Sequence, residues 1–180
     1  SRRFLVRSVA KDASGKPIHH MYNSDALWLT MWNLNILWGL GWPGVMDDFS
    51  ACWVQYARDG GHLPRGPSAG GYTGIMTGSP GTSLLAATYQ KGLMRKTDPK
   101  EAWQFMETSN KKLTQFHTPG DAAQGSFEYW ALDQMAADLG MTNKVGAYQD
   151  KIDSWKQYYN PKHKLLMARN FDNPLHFRGW

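Results

Sequence analysis

Three polar side chains stand in a long connector, rich in glycine and proline, between two helical patterns. The connector runs from Gly60 to Gly74 and contains His62, Arg65 and Tyr72. Loops of this length inside a domain are uncommon unless they serve a function, and the rigid turn residues distinguish this one from a disordered tract. The pattern predicts a shaped rim that presents these groups to a ligand. Loop packing and hydrogen bonds to backbone carbonyls are the alternative interpretation.

Two carboxylates and one indole ring are further candidates for binding. Glu128 has aromatic residues on both sides, and such a carboxylate is either a paired structural group or one tuned for acid–base chemistry. Asp25 is either a helix cap or a polar contact to a ligand. Trp28 is a candidate stacking platform. It shares overlapping helix faces with Trp32 and Trp38, where core packing is the other interpretation.

Repeated helical periodicity indicates the elements that must position these residues. Helices are predicted from the caps at 23–25 to about 40, and then over about 43–60, 80–91, 98–113, 126–139 and 143–159. A short strand is predicted near 165–168. Most of the helices are joined as short antiparallel hairpins, so the predicted fold is all-α. A closed bundle and part of an α/α toroid both fit this pattern, whereas a solenoid is disfavoured because no strict repeat is present.

Composition limits the class of protein. The 180 residues form a single segment long enough for one domain with a core. The formal charge of +5 is spread along the chain, whereas a nucleic-acid binder would concentrate it on one face. No apolar run approaches the roughly 20 residues that cross a bilayer. Nine Trp, eight Tyr and seven Phe suit a site where rings stack on a sugar or a nucleobase.

Two motifs are weaker than they first look. The run 74–83 suggests a phosphate loop, but it lacks the lysine of that pattern and no apolar strand precedes it. The pair His19-His20 has no acidic neighbour at ligand spacing, so it indicates surface polar sequence more than a metal site. Cys52 stands alone and is predicted to be a buried structural thiol.

Several segments, taken in order and spacing, resemble glycoside hydrolase family 92, the calcium-dependent exo-α-mannosidases. They are residues 21–28 (MYNSDALW), 60–67 (GGHLPRGP), 70–73 (GGYT), 76–78 (MTG), 86–92 (AATYQKG), 127–129 (FEY) and 134–140 (QMAADLG). The similarity extends over about residues 22–159, and the glycine-rich connector is its most specific part. Leu29 stands where many members of the family have Asp after the Trp.

The resemblance implies a fold and a reaction. The six predicted helices would form about half of an (α/α)6 toroid that packs against an N-terminal β-sandwich. The implied function is part of an inverting α-mannosidase that hydrolyses terminal α-mannosides of glycans. A glutamic acid would protonate the leaving oxygen while an aspartate activates water, with the carboxylates roughly 6.5–9.5 Å apart. Calcium would bind sugar hydroxyls.

The resemblance also implies where the chemistry lies. The general acid, the general base and most calcium ligands are expected outside this chain, so its partners would be an α-mannose-containing glycan and the remainder of the polypeptide. A secreted or periplasmic location is implied. Within the chain, Arg65, His62 and Tyr72 would be rim or hydroxyl-binding groups. Trp28 would stack on the sugar.

Asp25 and Glu128 would make weaker polar contacts to the same ligand. Two alternatives remain open at this stage. One is a different (α/α)6 glycosidase or a toroidal lyase, which needs other carboxylate positions. The other is a non-catalytic helical carbohydrate-binding or interaction module, for which the absence of an acid–base pair is the normal state.

Overall fold

The structure is a computed structural model that describes residues 9–24, 27–28, 30–68, 71–170 and 173–177. Most of the regular structure in these residues is helical, and it includes six α-helices. In chain order the segments are α1 (Leu34–Gly41), α2 (Pro43–Gly60), α3 (Gly81–Gln90), α4 (Pro99–Leu113), α5 (Pro119–Asp138) and α6 (Gln149–Ile152). The longer helices pack on one another as antiparallel hairpins, with α3 and α5 in the most extensive contact.

Helix α2 runs through the core. Pro43 opens it at a position where a missing N–H costs nothing, and Gly61 ends it in the left-handed conformation with φ 85°. Every residue from 46 to 57 is buried. Trp53 and Trp103 are the largest fully buried side chains. Both indole N–H groups are satisfied, by the carbonyls of Pro64 and Leu132 at 3.0 and 2.9 Å.

Side-chain caps set the starts of α4 and α5. The predicted Asp98 cap is present, since its carboxylate accepts a hydrogen bond from the backbone N–H of Lys100. Helix α5 begins at Pro119, well before the predicted start near residue 126, because the Thr118 hydroxyl caps it by accepting from the N–H of Asp121. The Thr-Pro-Gly-Asp sequence is a helix start signal that the sequence reading missed.

The predicted first helix is wrong in its N-terminal half. A 3-10 turn covers Thr30–Trp32 and α1 starts only at Leu34. The preceding residues hydrogen-bond to the connector instead. The N–H of Ser24 donates to the Pro67 carbonyl at 3.0 Å, and the N–H of Leu27 donates to the Arg65 carbonyl at 2.9 Å. Tertiary pairing therefore replaces the helical hydrogen bonds that the periodicity predicts.

The predicted last helix, 143–159, is also wrong. Only α6 and a 3-10 segment, Asp153–Tyr158, are helical there. Gly146 adopts φ 75°, which a right-handed helix does not contain. Its N–H donates to the Asp133 carboxylate at 2.6 Å. This glycine makes a turn that shortens the helix to a few residues.

Within the described ranges, the strands form three short antiparallel hairpins. They are β1 (Pro67–Ser68) with β2 (Gly71–Tyr72), β3 (Tyr159–Asn160) with β4 (Leu165–Leu166), and β5 (Arg169–Asn170) with β6 (Asn173–Phe177). The first lies inside the connector, which is therefore more ordered than the predicted loop. The second contains the strand predicted near 165–168.

Helix α1 and the residues that flank it carry an uncovered apolar surface. Trp32 is 72% exposed and Leu40 is 82% exposed, and Ile36, Leu37 and Trp42 are about half exposed. The interpretation of Trp32 as a core residue is therefore wrong. Trp38 is partly buried against the core, as predicted. No helix in the described part of the chain is long and apolar enough to span a bilayer.

The two environments of tryptophan give a test of the core. Trp53→Ala is expected to lower the free energy of unfolding by about 3–5 kcal/mol, because it leaves a large cavity beside α2. Trp130→Ala, at a site that is 46% exposed, is the matched control and is expected to cost less than about 1 kcal/mol. Urea unfolding followed by circular dichroism measures both. Equal losses would contradict the position of Trp53 at the centre of the core.

Candidate functional site

Arg65 organises the connector. Its guanidinium donates four hydrogen bonds, all of them to backbone carbonyls. Nε donates to Gly78 at 2.8 Å, Nη1 donates to Gly74 at 3.2 Å and to Met76 at 3.0 Å, and Nη2 donates to Leu113 at the end of α4 at 2.7 Å. The sequence allowed two roles for Arg65, contact with a ligand or hydrogen bonds that fix the loop. The structure shows the hydrogen bonds that fix the loop. A contact from Arg65 to a sugar hydroxyl stays a prediction.

The backbone between residues 74 and 78 is shaped to meet that guanidinium. Gly74, Met76 and Gly78 all have positive φ, between 63° and 69°. These are the three residues of this stretch whose carbonyls bind Arg65. Met76 is a non-glycine residue in the left-handed region, and such residues cluster where surrounding contacts enforce the conformation. The charged fork of Arg65 supplies those contacts.

Glu128 lies directly beneath this turn. Its side chain is fully buried and accepts three hydrogen bonds, from the Ser79 N–H at 2.7 Å, the Gln124 amide at 2.7 Å and the Thr114 hydroxyl at 3.0 Å. A Cβ on Gly78 would overlap the carboxylate. Burial raises the pKa of Glu128 to about 7, against the opposing effect of these hydrogen bonds.

His62 and Tyr72 support the other side of the connector. The Tyr72 hydroxyl donates to the carbonyls of Tyr56 and His62 at 2.7 and 2.9 Å. The His62 ring packs edge-on against Tyr72, with centroids 4.8 Å apart, and its Nδ1 lies 3.2 Å from the Lys112 ammonium. Burial, followed by the charge of Lys112, lowers the pKa of His62. Both side chains thus pack the connector, and their predicted ligand contacts stay predictions.

Trp28 lies apart from these groups, in an aromatic pocket of about 530 Å³. This volume is within the range typical of small-molecule sites. The pocket is lined by Trp28, Met31, Trp32, Gly120, Ala123, Gln124 and Phe127. The indole Nε1 of Trp28 is buried and has no hydrogen-bond partner among the described residues. An apolar wall with an unpaired donor fits a ligand that has both a flat apolar face and oxygen acceptors.

Gln124 connects the aromatic pocket to the connector. It lines the pocket, and its amide N–H donates to Glu128, which in turn accepts from Ser79 next to the Arg65-bound carbonyl of Gly78. Gln124 therefore belongs both to the pocket that Trp28 lines and to the hydrogen-bonded network of Glu128, which adjoins the turn that Arg65 holds. Asp25 lies outside the described residues, so its predicted contact stays a prediction.

The sequence reading missed most of the pocket lining. Gly120, Ala123 and Gln124 belong to the first turns of α5, which begin before the predicted start of that helix. The Thr118 cap and Pro119 are the signals that would have placed these residues on a helix. Phe127 was not among the candidate site residues either, yet it lines the pocket and is 36% exposed.

Calcium is a cofactor implied by the family resemblance, and it prefers six to eight oxygen ligands. Among the described residues, no group of three or more His, Cys, Asp or Glu side chains is arranged to hold a metal ion. The described carboxylates have other partners. Glu128 is surrounded by hydrogen-bond donors, and Asp47 and Asp48 accept from the backbone or side chains near Lys96. These residues alone do not fit a calcium site.

The sequence matches the model of the glycosyl hydrolase family 92 catalytic domain over residues 6–177. The chain belongs to this family. No curated protein sequence matches it.

Solved structures of family members share the fold. The inverting mannosidase BT2199 from Bacteroides thetaiotaomicron VPI-5482 aligns with a TM-score of 0.78 at 18% identity, over 93% of this chain and 27% of its own. The α-mannosidase BT3965 from Bacteroides thetaiotaomicron, in complex with mannoimidazole, aligns with a TM-score of 0.74 at 18% identity, over 86% of this chain and 23% of its own. The chain thus spans about a quarter of their length. The predicted all-α fold, antiparallel hairpins of part of an (α/α) toroid, is confirmed.

The Arg65 network predicts a stability effect. Arg65→Lys should lower the free energy of unfolding by about 1–3 kcal/mol, because a single ammonium cannot reproduce a planar fork that reaches four carbonyls. Arg58→Lys is the matched control, since Arg58 forms a partly exposed ion pair with Glu101, and such pairs contribute about 1 kcal/mol or less. Urea unfolding of both variants measures the two changes in the free energy of unfolding. A similar small loss at both positions would show that the fork does not hold the turn.

Glu128 predicts a pH dependence of stability. Its pKa rises from an ordinary value of 4.5 to about 7 in the folded protein, so the folded state holds this proton more tightly than the unfolded state. The resulting stability is fully present below about pH 4.5 and is lost as the pH rises through about 7, with a magnitude of at most about 3 kcal/mol.

Glu128→Gln removes this titration and should flatten the profile of unfolding free energy between pH 4.5 and 8 relative to the wild type. Urea unfolding at several pH values measures the difference between the two proteins. Parallel wild-type and variant profiles would show that Glu128 titrates normally. Glu107→Gln is a suitable control, because hydrogen bonds from Lys144, Tyr148 and Lys111 outweigh burial and lower the pKa of that carboxylate.

Proposed function

We propose that the chain is part of the catalytic domain of an inverting α-mannosidase that hydrolyses terminal α-mannosides of glycans. The single observation that carries the proposal is the family match over residues 6–177, which covers nearly the whole chain. The fold is shared with two mannosidases of the family. The aromatic pocket provides a place for the sugar.

The chemistry of the pocket suits a hexose. The apolar C–H face of a mannose ring would lie against Trp28, Trp32 or Phe127. The buried N–H of Trp28 would donate to a sugar oxygen and so gain the partner that the protein does not give it. Gln124, held through its amide nitrogen by Glu128, has an amide oxygen that can accept from a hydroxyl.

The residues of the connector act in this proposal by positioning. Arg65 and Glu128 fix the turn at 74–79. Glu128 also holds Gln124 in the first turns of α5, which carry part of the pocket wall. Glu128 is not proposed as the general acid, because its carboxylate is completely buried and a catalytic acid must reach the glycosidic oxygen. The general acid and base are proposed to lie in polypeptide beyond residues 1–180.

Calcium and location are also part of the proposal. When bound, calcium would hold sugar hydroxyls, and its ligands would come mostly from the same further polypeptide. Support comes from the family resemblance, in which calcium dependence is general. A secreted or periplasmic location is proposed on the same ground. In this proposal, the described residues of this chain bind and orient the sugar, while the further polypeptide supplies the acid, the base and most calcium ligands.

The test uses the polypeptide that carries the whole catalytic domain. Hydrolysis of α-mannobiose should release β-mannose first, which proton NMR detects, because inversion converts the α-linkage to the β-anomer. Chelation of calcium should abolish the activity and added calcium should restore it. Binding of mannosides without turnover would favour the carbohydrate-binding module, and activity on another glycoside alone would favour a different glycosidase.

Trp28 gives a residue-level prediction. Trp28→Ala should lower kcat/KM for α-mannobiose by roughly tenfold or more, because the sugar loses a stacking surface and a hydrogen-bond donor. Trp130→Ala, which removes another partly exposed indole from α5 outside the pocket lining, is the control and should leave kcat/KM nearly unchanged. If both variants behave alike, the aromatic pocket is not the sugar site.

A further inference from the structure

A second pocket lies on a part of the molecule that the proposed function does not use. Its volume is about 410 Å³, and it shares no residue with the aromatic pocket. The lining residues are Lys16, Pro17, Ile18, His19, His20, Asp48 and Lys96. The N-terminal segment, the start of α2 and the loop before α4 thus meet there. The His19-His20 pair, a weak signal in the sequence, contributes both of its residues.

His19 carries an unused acceptor. Its side chain is only 4% exposed, and its Nδ1 lies 3.0 Å from the carbonyl oxygen of His20. Because a carbonyl only accepts, Nδ1 must hold the proton, which leaves a lone pair on Nε2 of the neutral ring. That Nε2 is buried and has no hydrogen-bond partner among the described residues. A buried acceptor without a donor is unfavourable, so a ligand that donates to it would be favoured.

The pocket carries two lysines, Lys16 and Lys96, against one carboxylate, Asp48, so a small net positive charge remains. Asp48, whose side chain is 8% exposed, pairs with the Lys96 ammonium and with Nδ1 of His20 at 2.6 Å. Burial opposes ionisation of Asp48, but the hydrogen bonds from His20 and Lys96 outweigh it and lower its pKa. Asp47 accepts from the backbone N–H groups of Arg95 and Lys96 and so fixes the loop that supplies Lys96. Lys16 remains as an exposed donor.

We propose that this pocket binds a neutral, hydroxyl-rich ligand, namely a saccharide unit of a glycan, as a second contact site. A hydroxyl group both donates and accepts, so it can donate to Nε2 of His19 while it accepts from the ammonium of Lys16, since Lys96 is already paired with Asp48. Pro17 and Ile18 supply an apolar surface for sugar C–H groups. The proposal goes beyond the proposed function and does not require the aromatic pocket to bind mannose.

The unpaired acceptor and the lysine charges argue against two other classes of ligand. An oxyanion without a proton has no hydrogen to donate to Nε2 of His19, and a metal cation in this pocket would approach the ammonium groups of Lys16 and Lys96, which repel it. Among the residues that the structure describes, no group of three metal-binding side chains is present either.

Imidazole nitrogen NMR tests the proposal directly. The protein is labelled with 15N-histidine and titrated separately with methyl α-mannoside, methyl β-glucoside and N-acetylglucosamine, and then with inorganic phosphate and zinc chloride. A saturable shift of the His19 Nε2 resonance with at least one saccharide is expected. No shift with any saccharide, including the case in which only phosphate or zinc gives one, overturns the proposal, since His19 is then satisfied by water or by a different ligand.

Variants assign the signal to the pocket. Because His20 lines the same pocket, its resonance is expected to shift with the saccharide as well. His19→Phe keeps a ring of similar size without the acceptor, and should abolish that shift of His20. Lys16→Ala, at an exposed position, should weaken saccharide binding by about two- to tenfold, the effect of one lost hydrogen bond. Lys11→Ala, in the same hairpin and also exposed, is the matched control. Equal effects of the two lysine variants would overturn the proposal.

Trp28→Ala separates this proposal from the proposed function. The variant alters only the aromatic pocket, so the His19 response to saccharide should persist in it even if mannosidase activity is lost. Disappearance of the His19 response in Trp28→Ala would mean that the saccharide binds in the aromatic pocket and affects His19 from a distance, which contradicts a second site. An inactive catalytic domain with an intact His19 response would reject only the proposed function.

Discussion

The contact between the Arg65 guanidinium and four backbone carbonyls is the interaction on which the rest of the site depends. Three of those carbonyls belong to residues with positive φ, and the fourth is the last residue of α4. A charged fork with several donors can hold such a backbone because each charge-assisted hydrogen bond is stronger than a neutral one. Through this one side chain, the connector is joined to both the turn at 74–78 and the helical core.

Glu128 completes the arrangement from below. Its carboxylate accepts from a backbone amide of the turn, a hydroxyl that follows α4 and an amide of α5. A buried carboxyl is costly unless such donors surround it. Because Gln124 belongs both to this network and to the aromatic pocket, the pocket wall and the connector share one polar support. The aromatic side chains can therefore remain partly exposed without losing their position.

The sequence was informative where local rules decide the structure. The hairpin order, the extent of α2 and the Asp98 cap follow from periodicity and capping, and these predictions agree with the structure.

The sequence was misleading where a distant partner competes with a local preference. The amides of Ser24 and Leu27 bond to the connector rather than to a helix, and no local pattern announces this. The turn at Gly146 likewise depends on Asp133. For Arg65 the residue type indicated a hydrogen-bonding role, but only the fold could show that the partners are carbonyls.

The spacing of the carbonyls around Arg65 restricts how this region can change. Residues 74, 76 and 78 face the same guanidinium at every second position, so one inserted or deleted residue would turn a carbonyl away from it. The hairpin tip at residues 12–15 is tied mainly to itself and has no such restriction. An alignment of relatives should therefore place its gaps in that N-terminal tip and keep the number of residues between Arg65 and Ser79 constant.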